Sequence, residues 1–345
     1  MSTPFYKVTE LWHPDEAYTN HRIPGMIFTS KGTLLVYCEA RRREDDWAPM
    51  DVLLQRSTDS GKSFDSPIIL AQGTAEHPTV NNPVLVEDKN GRIHFLYCED
   101  YSIAGGRVLR RFSDDDGISW SDPIDITGAT MPSYRNAFAL GPGHGILTRE
   151  GVLVFPVWMV PKHYASYEKA HTPSVISTLF SKDNGESWEI GEILETNRDV
   201  LSPNETVAAL TKDGRVYLSI RHLAYYRAKA YSDTGYASFT EYGPEYSLPT
   251  PQCFSSVVAY DDHKNPYTLI YAGCTSKTHR THVSVFFSTD DGRTFSAPKL
   301  LDAERGGYTE LAVDPKNHLI FVLYENDFGK TDHLAVFNYD FLAQK

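Results

Sequence analysis

Arginines and carboxylates are the residues of this chain whose placement could do chemistry. Three of each sit in one run, Arg41-Arg-Arg-Glu44-Asp45-Asp46, closed by Trp47. Arg22 stands in His21-Arg22-Ile23-Pro24-Gly25, Glu205 follows Asn204, and Arg221 ends Asp213-Gly-Arg-Val-Tyr-Leu-Ser-Ile-Arg221. Arg280 lies between His279 and Thr281. A guanidinium fork donates paired hydrogen bonds to a planar carboxylate and keeps its charge at any working pH. Carboxylates beside it can move protons. Taken one at a time, each of these residues has a plainer fate, a solvated surface charge.

Other constellations carry little. His279-x-x-His282 has the spacing of a metal pair. No third ligand accompanies it, and a strand would point the two side chains away from a common ion. No metal or organic cofactor is expected. No glycine-rich loop follows a strand and opens a helix, as phosphate cradles require, and no Gly-x-Ser-x-Gly elbow is present. Cys38, Cys98, Cys253 and Cys274 form no CxxC pair and lie in or near apolar runs, the pattern of buried free thiols.

The elements that must position these residues are named by a repeated phrase, Ser-x-Asp-x-Gly-x-Ser/Thr-aromatic. It occurs at Ser57–Phe64, Ser113–Trp120, Ser181–Trp188 and Ser288–Phe295, with a worn copy at Ser232–Phe239. The leading serines are 56, 68, 51 and 56 residues apart. Apolar alternating runs flank the copies, such as Val52-Leu-Leu-Gln-Arg and Val283-Ser-Val-Phe-Phe. Asp and Ser side chains can bond the turn backbone, glycine accepts a positive φ, and the aromatic packs onto the sheet. A β-rich unit repeated at this period predicts a propeller. Five blades are marked directly. Strand patterns at the two ends (Tyr6–Trp12, and Leu311 to Phe337) would together build a sixth, closing the ring and hiding its edges. The expected fold is all-β, a six-bladed β-propeller forming one domain over residues 1–345. The polar stretch Lys162 to Pro173 is expected to be a long loop on the third blade.

Composition agrees. The 345 residues are 41% hydrophobic and 12% aromatic, enough for a large core, and helical periodicity is scarce. The formal charge of −12 disfavours nucleic acid and anionic membrane surfaces as partners. The first residues do not form a charged-then-apolar leader, and no apolar run approaches 18 residues, so a cytoplasmic protein is expected.

Read together, these segments resemble the sialidase (neuraminidase) superfamily, in particular bacterial-type exo-sialidases with Asp-box repeats. The Arg22-Ile-Pro segment is similar to the family's first-blade signature. Gly141-Pro-Gly143-His-Gly145-Ile is similar to its mid-chain glycine loop. Asn204-Glu205-Thr-Val with Arg221, and Gly307-Tyr308-Thr-Glu-Leu with Leu323-Tyr324-Glu325, are similar to its later segments, in the same order.

The resemblance implies roles. Arg22, Arg221 and Arg280 would hold the carboxylate of a 2-keto sugar acid. Tyr308 would be the nucleophile and Glu205 its base, because a neutral phenol meets no charge repulsion at a carbon bearing a carboxylate. An aspartate on the 41–51 loop would protonate the leaving oxygen. Asp46 is preferred over Asp45 because Trp47 follows it and could shield it, raising its pKa toward a working acid. Glu325 would orient Arg22, Arg41 would line the pocket, and Glu39 would neutralise one of the cations.

The implied substrate is a sialoglycoconjugate or another keto-sugar-acid glycoside. Ser133-Tyr-Arg135-Asn136 departs from members that hold an N-acetyl group in an apolar pocket. This leaves N-acetylneuraminic acid, its deaminated analogue and a shorter ulosonic acid open. A propeller that only binds sugar acids or proteins, and a lyase or transferase on the same scaffold, are the other readings.

Overall fold

The computed structural model describes residues 3–102, 105–164 and 171–344. Short apolar runs cut by turn residues become antiparallel strands in sequential order. The first sheet runs Asn20–Phe28, Leu34–Arg41, Met50–Ser57, Ile68–Ala71. The second runs Val80–Glu87, Ile93–Ser102, Gly105–Ser113, Ile124–Asp125, and Gly143–His144 joins its inner strand in parallel. The third runs Arg135–Leu140, Leu153–Pro161, Val175–Ser181, Glu189–Ile190, with Ile146–Leu147 paired to Leu153–Pro161. The fourth runs Thr206–Leu210, Val216–Ile220, Tyr226–Ser232, Thr240–Pro249.

The remaining strands share one seven-stranded sheet. It runs from Ser256–Tyr260 through Thr268–Cys274, Thr281–Ser288, Lys299–Asp314, Leu319–Asn326 and Thr331–Asn338 to Tyr6–Trp12. The 16-residue strand Lys299–Asp314 changes partner midway. Up to Arg305 it pairs with Thr281–Ser288, and from Gly306 with Leu319–Asn326. It therefore serves two groups of four strands. Neighbouring groups touch in a closed circle, and Asn20–Phe28 meets both Val80–Glu87 and Lys299–Asp314. The fold is an all-β propeller. Pairing of Tyr6–Trp12 with Thr331–Asn338 joins the two ends of the chain in one sheet, as the strand pattern predicts.

The repeated turns are built as their residue types require. Asp115 accepts hydrogen bonds from Ser113 Oγ (2.8 Å), Ser119 N (2.8 Å) and Ser119 Oγ (2.6 Å), while Gly117 N donates to Ser113 Oγ (2.8 Å). Trp120 folds back so that Nε1 donates to Gly117 O (3.2 Å). The copies at Asp59, Asp183 and Asp290 repeat the carboxylate-centred pattern. In the worn copy Thr234 Oγ1 takes the place of the carboxylate, accepting from Ala237 N (3.1 Å), while Gly235 N still finds Ser232 Oγ (2.9 Å).

All four cysteines are buried and free. Of the polar stretch after Pro161, Lys162–Tyr164 form a short 3₁₀ turn, residues 165–170 lie outside the described residues, and His171 and Thr172 return at the cavity described below. Among the described residues, no helix is long and apolar enough to cross a membrane.

The hydrogen bonds from Ser119 hold the Asp115 carboxyl down at about 2. A lowered folded-state pKa stabilises the native state fully above the ordinary carboxylate value, and that contribution disappears as the pH falls through about 2. Asp115→Ala should therefore lower stability at neutral pH by about 1–2 kcal/mol in urea or thermal unfolding. Asp233→Ala, in the worn copy, should leave the midpoint unchanged. Equal losses from the two would show that carboxylate-centred bonds do not hold these turns.

Candidate active site

The inner strands begin at one end of the ring, and there the charged residues converge on a cavity of about 240 Å³. Arg22 enters from the first inner strand and Glu205 from the residue before Thr206–Leu210. Tyr308 comes from the long shared strand, just past its change of partner. Arg221 and Arg280 sit at strand ends of the fourth and fifth groups.

Tyr308 is the centre. Its ring is buried, with the Arg22 and Arg280 guanidinium carbons each 5.3 Å from the ring centroid. Its hydroxyl donates to Glu205 Oε1. Arg221 Nη1 donates to Tyr308 Oη (3.0 Å) and also to Glu205 Oε2. Burial pushes the phenol pKa up, and the Glu205 carboxylate pushes it further, against the opposing pull of Arg221 and Arg280. The hydroxyl is thus neutral at rest and already aimed at a base.

Glu325 fixes this arrangement. Oε1 accepts from Arg22 Nε (2.7 Å) and Ile23 N (3.0 Å), and Oε2 accepts from Tyr308 N (2.9 Å). Gly307 is needed for that approach, because a Cβ there would lie 2.1 Å from Glu325 Oε2. Burial raises the Glu325 pKa, but Arg22 and the two backbone donors lower it more, so it is held ionised. Arg22 loses proton affinity to burial and regains more from Glu325 and Tyr308, for a net rise. Among the described residues, no carboxylate lies within ion-pair reach of the Arg280 guanidinium.

On the opposite wall, Arg41 donates Nε and Nη2 to Glu39 Oε2 (2.9 and 2.5 Å) and Nη1 to Asp46 Oδ1 (2.7 Å). Glu39 Oε1 accepts from Asn82 N (2.7 Å). Asp46 lines the cavity, whereas Asp45 points outward to Arg43 (3.0 Å). The expectation that shielding by Trp47 raises the Asp46 pKa is corrected. Trp47 is 44% exposed and stacks on His171 (centroids 5.8 Å). Burial does push Asp46 up, but Arg41, with Arg22 and His171 behind it, brings the carboxyl below its ordinary value.

Arg22, Glu39, Arg41, Asp46, Glu205, Arg221, Arg280 and Tyr308 therefore share one cavity, with Glu325 directly behind it. Sequence reasoning missed its remaining walls, chiefly Asn81, Asn82, Trp158, Ser202 and His222. No local pattern marks them, since each becomes a wall residue only when the ring closes. His279 and His282 are exposed and bond to Thr278 and Thr281 (2.9 Å each). Arg135 is buried as a structural residue, donating to Thr130 O (3.0 Å).

Residues 32–319 match the BNR repeat-like domain family. The chain is similar to a sialidase of Bacteroides fragilis, 28% identical over 356 residues that cover 93% of this chain and 63% of that protein. It is similar to Sialidase-3 of Mus musculus, 24% identical over 392 residues covering 95% and 94%. Among solved structures, the Hadza microbial sialidase Hz136 superposes with a TM-score of 0.82 at 26% identity, covering 93% of this chain and 66% of that one. The chain thus spans under two thirds of the Bacteroides relative's length.

Glu325→Gln would leave Arg22 buried without its counter-charge. The expected cost is on the order of 3 kcal/mol in urea unfolding at neutral pH. Because the Glu325 pKa is lowered, this contribution is complete above the ordinary carboxylate range and falls away below it. A variant as stable as the parent would refute the bracing role. The chain belongs to the BNR repeat-like domain family and, with these relatives, to the sialidase superfamily.

Proposed function

We propose that the chain is a retaining exo-glycosidase that releases terminal sialic acid, or a related 2-keto-3-deoxy sugar acid, through a tyrosyl-enzyme intermediate. The observation that carries this reading is the Tyr308 hydroxyl bonded to Glu205 and flanked by three arginines. A site that only binds anions needs the arginines but has no use for a phenol aimed at a base.

In the proposed reaction the substrate carboxylate lies among Arg22, Arg221 and Arg280. Glu205 takes the phenol proton as Tyr308 Oη attacks the anomeric carbon, and Asp46 gives a proton to the departing oxygen. Asp46 then removes a proton from water, the tyrosyl bond breaks, and Tyr308 regains its proton from Glu205. The low resting pKa of Asp46 fits this scheme once the ligand's charge is counted. An anion seated on Arg22 cancels part of the field that holds Asp46 down, so binding itself moves Asp46 toward its acid form.

Polar Glu39, Asn81 and Asn82 and apolar Trp158 and Leu223 line the same cavity, so both an N-acetylated acid and a deaminated or shorter one are read as candidate substrates. Turnover of a panel of ulosonic acid glycosides, with product stereochemistry followed by NMR, decides this. An inverted product would overturn the tyrosyl intermediate.

Tyr308→Phe should reduce turnover by more than about 10³-fold while leaving the unfolding profile near that of the parent. Asp46→Asn should harm substrates with poor leaving groups far more than activated aryl glycosides. For those poor leaving groups kcat/KM should rise as the pH is lowered toward the carboxylate range. Arg41→Ala, which removes the main charge lowering Asp46, should carry that limb to higher pH. An unshifted profile would count against Asp46 as the proton donor.

A further inference from the structure

We propose that His171 is a positioning residue for the proton donor: its ring, held against Trp47 and Trp158, ties the 41–51 loop to the third group of strands so that Asp46 stays in reach of the departing oxygen. The proposal rests on the glycosidase reading and gives a role to a residue with no part in the proton transfers above.

Asp46 needs an outside hold. Its side chain is 48% exposed, and the guanidinium it bonds, Arg41, also serves Glu39. Other bonds of the loop close on itself or on its own strands. Arg42 N donates to Pro49 O (2.9 Å), Ala48 N to Asp45 O (3.2 Å) and Trp47 N to Asp45 Oδ1 (3.1 Å). Arg42 Nη2 donates to Asp51 Oδ2 (2.7 Å). These bonds fix the shape of the turn. They do not fix its distance from the wall that carries Glu205 and Tyr308.

The Trp47 ring supplies that tie. It stacks on His171 with centroids 5.8 Å apart and planes 28° from parallel. His171 in turn meets Trp158 edge-on, at 5.6 Å and 74°. Aromatic pairs attract in both arrangements at centroid separations of roughly 4.5–7 Å. Trp158 is a firm backstop. It is buried in Leu153–Pro161, and its backbone pairs with Ile176 on the strand that His171 leads into. The three rings thus link the first group of strands to the third, beside the cavity that Asp46, His171 and Trp158 all line. His171 lies in the field of Asp46 on the loop and of Glu205 on the far wall. Burial pushes its pKa down against the pull of those carboxylates, so at neutral pH the ring is an uncharged surface for Trp47.

The test uses His171→Ala, Trp47→Ala, the two combined, and His171→Phe, which keeps a ring without its nitrogens. On a methyl ketoside of the acid that the substrate panel identifies, each alanine variant should lose about tenfold in kcat/KM. The double variant should lose no more than either single one, because both remove the same contact. An activated aryl ketoside, which draws little on Asp46, should lose less than about twofold. His171→Phe should stay near the parent on both. Equal losses on the two ketosides, additive losses in the double variant, or His171→Phe as poor as His171→Ala would overturn the proposal.

A second readout needs no substrate. Arg42 and Arg43 are exposed on the same loop, and trypsin cuts a folded protein where a segment opens locally. Cleavage at these two residues, followed by mass spectrometry, should be about tenfold faster in His171→Ala and Trp47→Ala than in the parent and in His171→Phe. Equal rates in the parent and the alanine variants would refute the tie. If the parent hydrolyses neither ketoside, the glycosidase reading fails, and cleavage alone then decides whether His171 holds the loop.

Discussion

The buried carboxylate of Glu325 is the constraint on which the site depends. It binds the Arg22 side chain and the Ile23 amide with one oxygen and the Tyr308 amide with the other. Arg22 and Tyr308 are 286 residues apart in the chain, at opposite ends of the circuit. One ionised group thus sets the relation between the Arg22 guanidinium and the Tyr308 phenol. The cost of burying that charge is offset by three hydrogen bonds, one of them from the Arg22 guanidinium, the condition under which a buried pair is stable.

The electrostatics of the cavity follow from how charges are shared. Arg221 stands between Glu205 and Tyr308, Arg41 between Glu39 and Asp46, and Arg22 against Glu325. Arg280 lies against the face of Tyr308 and makes no ion pair among the described residues. Four arginines thus face four carboxylates, and with two of those carboxylates on Arg41 the uncompensated positive charge is localised at Arg280, on the Tyr308 side of the cavity.

Much of this was legible in the sequence because the relevant signals are local. The five turn phrases depend on side chains bonding their own backbone within four residues, so spacing alone predicts them. Arg22, Glu205, Arg221 and Tyr308 sit in segments distinctive enough to be picked out by resemblance. The pKa of Asp46 was not legible, because its direction depends on a guanidinium that the loop folds back onto. Asn81, Trp158 and His222 carry no local mark for the same reason.

The long strand Lys299–Asp314 is one continuous rod shared by two four-stranded groups of one sheet, and Tyr308 lies just beyond the change of partner. Whatever tilts the two groups against each other would move the phenol relative to Glu205, which precedes the first strand of a separate sheet. The seam where the two chain ends meet belongs to the same sheet as that rod. Loosening there would reach Tyr308 along the hydrogen-bonded ladder, so the Tyr308–Glu205 contact reports on closure of the ring.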